Sequence, residues 1–169
     1  MAEEEEEFKL KPIISPSDKE FRDRVGVQMW EKMKSKSFRD NGYKCCGCGF
    51  EPYDVDPNAV LGIHLIEENI EDPEKSEVIT TCELCHMVQH ADVAIERGYV
   101  ELVNSFFKQG ELVMICRNKS TSYHIEKGDI RYLKKTLPEF MEELVSGLSN
   151  EGKVKFVFTE AYLNSIGII

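Results

Sequence analysis

Apolar positions along the chain change their period several times, and each change marks an element. Phe8 to Ile14 reads as a short extended segment ended by Ser15 and Pro16. Phe21, Val25, Met29 and Met33 then recur every four residues, the stripe of an amphipathic helix, with Trp30 beside it. Ser17 followed by Glu20 is a capping-box start for that helix, and Asp40-Asn41-Gly42 is a turn signal at its end. Further on, Tyr99 to Val103 and Glu111 to Cys116 are β-branched and aliphatic runs separated by a loop ending Lys108-Gln109-Gly110, a pattern that predicts a hairpin. A polar loop at Asn118 to Ser122 leads to Asp129, expected to cap a short helix through Leu133. Thr136, Pro138 and Glu139 announce another helix carrying Phe140, Leu144 and Leu148, bracketed by Gly147 and Gly152. Val154, Phe156 and Phe158 alternate as a final strand, and Thr159 caps a terminal helix with Tyr162, Leu163 and Ile166. No internal repeat is visible.

Composition narrows the class. An apolar fraction of 41% with 9% aromatics can bury a core, which excludes a wholly disordered chain among these 169 residues. The formal net charge is −10, and half of that excess sits in Glu3 to Glu7, an acidic tail. What is left is mildly acidic, the wrong sign for gripping phosphates by bulk charge. Seven basic residues between Arg22 and Lys44, against three acidic ones, make the one basic stretch; a solvated helix face is its simplest reading. No run approaches the ~18 apolar residues of a membrane span. The acidic start is unlike a secretory signal, so a cytoplasmic protein is expected.

Six cysteines in a reducing compartment point to metal ligands or buried thiols before disulfides. Cys45-x2-Cys48-Gly49 and Cys82-x2-Cys85 form two knuckles, and two such pairs supply the four thiolates of a tetrahedral zinc site. Gly47 and Gly49 give the first knuckle its backbone freedom. Four cysteines leave no open position for water, so the site is structural. Cys45 has the normal two-residue gap to Cys48, which leaves Cys46 as a bystander, and Cys116 ends an apolar run as a buried thiol.

Three histidines surround these knuckles. His86 follows Cys85, His90 lies four residues later on the same face of a following helix, and His64 sits upstream in Leu61-Gly62-Ile63-His64-Leu65-Ile66. Three imidazoles suffice to hold a second metal. On spacing alone, two solvent-facing helix histidines and a lone strand histidine are the simpler reading.

The string from Phe38 to Phe50, then His64, then Cys82-x2-Cys85-His86-x3-His90, resembles the zinc-stabilised form of the HNH nuclease family over roughly Phe38 to Ala94. The resemblance implies a ββα-metal, treble-clef-like fold. It makes His64 the candidate general base, and His86 and His90 the candidate ligands of a second divalent metal that would polarise a scissile phosphate. Glu77 stands at the family's Asn position, nine residues before His86, and with His64 and His90 completes the candidate catalytic set. Glu, when ionised, cannot donate a hydrogen bond and adds negative charge where phosphate must approach. Active members also place a metal ligand and a basic His consecutively on the first strand. Here Ile63 replaces the ligand if His64 is the base, and Leu65 replaces the base if His64 is the ligand.

Over more of the chain, Phe8-Lys9-Leu10-Lys11, Ser15-Pro16, Tyr43-x-Cys45-x2-Cys48-Gly49-Phe50 and Gly110-Glu111-Leu112-Val113 are similar to the IcmJ/DotN family. Those are HNH-like subunits of the Dot/Icm type IV secretion coupling complex, and the resemblance implies an assembly role with protein partners. The expected fold class is α+β: an acidic tail (1–7), then a helix and a small zinc-stapled HNH-like module (8–98), then a C-terminal hairpin and helix extension packed on it (99–169). Three functions follow: a degenerate HNH-like subunit or adaptor, which the departures favour; a metal-dependent endonuclease acting on DNA; and a non-catalytic nucleic-acid-binding zinc module.

Overall fold

The computed structural model describes residues 8, 10, 12, 13, 15, 17–105, 107–118, 130–132 and 154–168. The architecture is α+β. Helices α1 (Asp18–Val25) and α2 (Val27–Asp40) precede a knuckle loop, a one-turn helix α3 (Pro57–Val60), and strands β1 (Leu61–Glu67) and β2 (Glu77–Cys82). Helices α4 (Glu83–Val88) and α5 (Ala91–Glu96) follow, then β3 (Val100–Ser105), α6 (Gln109–Arg117), β4 (Ile130–Tyr132), β5 (Val154–Phe158) and α7 (Glu160–Ser165).

The helix expected from the four-residue stripe is two helices. Gly26 adopts φ 83° and ψ 159°, a conformation that side chains disfavour, and it ends α1 before the period is broken in sequence. Ser17 caps α1 as expected, but its Oγ accepts the Lys19 N–H at 3.2 Å, while Glu20 pairs with Arg24 one turn on. Phe21, Met33 and Phe38 are buried and Val25 and Met29 pack against them, so the stripe still faces the core.

The C-terminus of α2 is fastened to β2. Asn41 Oδ1 accepts both the Thr80 N–H (3.2 Å) and the Ser37 hydroxyl (3.2 Å), and the Ser37 and Thr80 hydroxyls lie 2.9 Å apart. β1 and β2 pair antiparallel, with Leu61 opposite Cys82 and His64 opposite Ile79; a bulge after Leu65 brings Glu67 opposite Glu77.

In the C-terminal part the order of strands is β4-β3-β5, all antiparallel. The hairpin expected between Tyr99–Val103 and Glu111–Cys116 is not formed. β3 is a strand, but the second run lies in helix α6, whose start is set by Glu111 accepting the Lys108 N–H at 2.6 Å. A continuous apolar run does not separate a buried strand from a buried helix. Here Leu112, Val113 and Cys116 share one fully buried helical face. Likewise the stretch after Asp129, expected as a short helix, contains strand β4 at Ile130–Tyr132. The helix expected over Thr136 to Leu148 lies outside the described residues. Gln109 finishes the sheet: its side-chain amide donates to the Phe156 carbonyl (3.0 Å) and accepts the Phe156 N–H (2.9 Å), satisfying the free edge of β5 as a strand would.

One hydrophobic cluster runs from Phe21 and Phe38 through Leu84 and Val88 to Val103, Leu112, Phe156 and Leu163. Among the described residues no helix is long and apolar enough to cross a membrane.

Candidate metal centres

Two clusters among the described residues bring His, Cys and Asp donor atoms within 4.8 Å of one another. The first is Cys45, Cys48, Cys82 and Cys85. It is built from the knuckle loop and from the junction where β2 runs into α4, so that the strand end delivers Cys82 and the first helical turn delivers Cys85. Backbone bonds shape the knuckle: Gly49 N–H donates to Cys45 O (2.8 Å), Cys45 N–H to Phe50 O (2.9 Å), and Cys46 N–H to Thr80 O (2.9 Å). Gly49 is in the left-handed region at φ 76°. Gly47 is required for a different reason, since a Cβ there would lie 2.8 Å from Cys85 Sγ.

The donor set fits a tetrahedral ion. Zinc–sulfur bonds of ~2.3 Å make tetrahedral S···S edges of ~3.8 Å, and Cys48 Sγ and Cys82 Sγ are 3.8 Å apart. Cys45 Sγ also accepts the Cys82 N–H at 3.2 Å, the kind of bond that favours a thiolate. Contact with Cys48, Cys82 and Cys85 drives the Cys45 thiol well below its ordinary range, while contact with Cys45, Cys48 and Cys82 drives Cys85 well above its own. Four thiolates cannot share this volume without a cation between them. The cluster can therefore bind a metal ion such as zinc. Cys46 stands outside the cluster, its thiol pushed up by burial. Cys116 is buried and its Sγ accepts the Phe158 N–H at 3.4 Å.

The second cluster is Asp18, His64, His86 and His90. The structure brings the three sequence-predicted histidines together and adds a carboxylate that sequence reasoning missed. Asp18 opens α1, where an acid has a ready explanation in the helix dipole, so nothing local marked it as a site residue. Its Oδ2 lies 3.0 Å from His86 Nε2, 3.5 Å from His64 Nδ1 and 4.0 Å from His90 Nε2. His86 Nε2 and His90 Nε2 are themselves 3.0 Å apart.

The two helix histidines are not on one helix. α4 ends at Val88, and His90 is the residue before α5, with φ −123° and ψ 58°. The turn places its ring so that Nδ1–H donates to the Ser15 carbonyl at 3.2 Å, which leaves Nε2 with its lone pair toward the cluster. Burial raises the Asp18 carboxyl, but His64 and His86 beside it outweigh that and hold it well below the usual carboxylate range. Burial, and then the neighbouring His86, push the His90 imidazole down toward its neutral form.

Glu77 is not part of this site. It is exposed at the start of β2 and lines a shallow groove with Lys32, Lys36, Arg39, Asp40 and Glu74. Carboxylates accompany much of the basic stretch: Lys32 pairs with Glu74, Lys36 with Asp40, Arg24 with Glu20 and Lys44 with Glu51.

Compared with known proteins, the chain matches no protein-family model and no curated protein.

Proposed function

We propose that this chain is a catalytically degenerate HNH-like zinc module that serves as a subunit or adaptor in a protein complex, of the kind the IcmJ/DotN resemblance implies. In this reading Cys45, Cys48, Cys82 and Cys85 hold structural zinc, residues 8–98 form the module, and 99–169 are an extension packed on it. The observation that carries the reading is Asp18. A hydrolytic metal site needs a position for water or a phosphate oxygen beside the ion. Here the Asp18 carboxylate, 3.0 Å from His86 Nε2, would as a fourth ligand beside the three imidazoles close the coordination sphere and bring negative charge to it. The pairing of Lys32 with Glu74 and of Lys36 with Asp40 adds to this, because each paired lysine offers a nucleic-acid backbone less to hold.

A competing reading, a DNA endonuclease with His64 as base and His86 and His90 as metal ligands, draws on the convergence of the three rings, whose centroids lie 4.8 to 5.2 Å apart. Plasmid cleavage with Mg²⁺, Mn²⁺ or Ni²⁺ separates the two. The adaptor reading expects no cleavage by the purified protein. Cleavage that disappears in His64→Ala would overturn it. Affinity capture from the native host, followed by mass spectrometry, would then identify the complex.

A further inference from the structure

We infer that Asp18, His64, His86 and His90 form a second, closed metal centre, in which the Asp18 carboxylate is the fourth ligand and the ion staples the N-terminal helix to the cysteine-knuckle module. The inference goes beyond the function proposed above, because it needs neither a partner nor a substrate.

Three observations carry it. The first is an orphaned donor or acceptor: His64 is 1% exposed, and its Nδ1 has no hydrogen-bond partner. A buried imidazole nitrogen left unpaired costs about 1–3 kcal/mol, and that cost disappears if the lone pair ligates an ion. The second is the proton count. His90 Nδ1–H is committed to the Ser15 carbonyl, so His90 Nε2 brings a lone pair to the cluster. Only 3.0 Å away, His86 Nε2 also faces the Asp18 carboxylate at 3.0 Å, so one N–H there would have to serve two acceptors. One cation satisfies all three groups at once. The third is size. Bonds of ~2.0–2.1 Å from zinc to nitrogen or oxygen give tetrahedral edges of ~3.3 Å, and the measured separations of 3.0, 3.0, 3.5 and 4.0 Å straddle that value.

The ligands come from separate parts of the chain, and this gives the ion its role. His64 is on β1, and His86 and His90 flank the end of α4, all within the module. Asp18 is on α1. Ile13, upstream of α1, is already held at the same place, with its N–H donating to Val88 O (3.4 Å) and Ala91 N–H to Ile13 O (3.0 Å). These two backbone hydrogen bonds steer the chain before α1; a metal–carboxylate bond would fix α1 itself. The site is sheltered without being sealed, since the His86 side chain is 34% exposed and gives an ion access. Three imidazoles and a carboxylate also suit zinc chemically, as borderline-soft and hard donors.

The test counts metal and then locates it. Full-length protein, made in zinc-supplemented medium and dialysed, is analysed for zinc by mass spectrometry beside His90→Gln and Asp18→Asn, with circular dichroism to confirm folding. Wild type is expected to hold one zinc more than His90→Gln. The ion left in His90→Gln, exchanged for cobalt, should keep thiolate-to-metal charge-transfer absorption. Asp18→Asn should weaken the second ion by at least ~10-fold and raise amide exchange across Asp18–Val25 while leaving β1 and β2 protected. A wild type with only the thiolate-bound zinc overturns the inference. So does a second ion that Asp18→Asn binds as tightly as wild type, since the fourth ligand would then be something else. Neither result depends on DNA cleavage or on a partner, so each is read apart from the adaptor reading's own tests, although a second ion indifferent to Asp18→Asn would also remove the Asp18 argument from that reading.

Discussion

Gly110, the second residue of α6, packs directly on the carbonyl of Gly47 in the first cysteine knuckle: a Cβ on Gly110 would sit 2.3 Å from that oxygen. Helix α6 therefore rests on the cysteine-knuckle loop itself. Other contacts repeat the relationship, with the Arg117 guanidinium 3.9 Å from the centre of the Phe50 ring and the Tyr162 hydroxyl bonded to Glu83, the neighbour of Cys82. Metal binding at the cysteine cluster and packing of α6 and α7 are therefore expected to be coupled.

Gly110→Ala is expected to destabilise the protein by ~1–3 kcal/mol, because the obstacle is backbone and cannot rotate away. Gly47→Ala meets Cys85 Sγ at 2.8 Å and should weaken metal binding as well as stability. Gly62→Ala is the control: nothing lies within 4 Å of its added Cβ, and its cost should fall within ~0.5 kcal/mol of zero. Urea titration of the three variants checks the order; a Gly110→Ala protein as stable as Gly62→Ala would contradict the packing described here.

Removal of the thiolate-bound ion should unfold the module. Structural zinc sites contribute ~10–16 kcal/mol at neutral pH, as much as the whole ~5–15 kcal/mol stability of an ordinary domain. Cys48→Ser, or a strong chelator acting on the wild type, is expected to abolish the cooperative thermal transition and raise amide exchange through β1 and β2. Retention of both in metal-free protein would mean that the hydrophobic cluster holds the fold unaided.

These two clusters of candidate ligands were unequally legible in the sequence, for a physical reason. Cys-x2-Cys is local chemistry: the gap itself places two sulfurs on one ion, so spacing alone marked Cys45, Cys48, Cys82 and Cys85. The histidine centre is tertiary chemistry. His86 and His90 were visible as a spaced pair, but their meeting depends on the break after Val88, and Asp18 arrives from 68 residues upstream of His86. A first-turn acid in a capped helix looks fully explained without it. Periodicity failed for similar reasons at α6, where a continuous apolar run fits either a helix or a strand, and at Gly26, which ends a helix inside an unbroken stripe.

Cys46→Ala tests the choice of ligands in the knuckle. The Cys46 thiol lies outside the four-sulfur cluster, and its backbone N–H, which bonds Thr80 O, survives the substitution. Zinc content should be unchanged and stability should move by less than ~1 kcal/mol, whereas Cys45→Ala should lose the ion. Loss of zinc in Cys46→Ala would reverse the assignment of the two adjacent cysteines.

Tyr162 gives the fold a dependence on alkaline pH. Its side chain is buried at 5% exposure, stacked on Tyr99 with ring centres 4.2 Å apart, and its hydroxyl donates to Glu83 Oε1 at 3.3 Å. Burial first, and then the Glu83 charge, push the phenol well above its ordinary value of 10.0. The folded state therefore keeps a proton that the unfolded chain releases above pH 10.0. Stability from this group is complete below that pH and falls as pH rises toward the folded value, by up to ~1.4 kcal/mol per pH unit. Tyr162→Phe removes the titration. The variant should lose ~1 kcal/mol at neutral pH with its hydrogen bond. It should then lose less than wild type as pH rises above 10.0, so that the gap between the two proteins narrows. Urea unfolding of both proteins at about pH 8 and about pH 11 measures that difference directly, with other titrating groups cancelling. Parallel losses in the two proteins would place the Tyr162 hydroxyl in solvent and dissolve the link between α7 and the turn that carries Cys82.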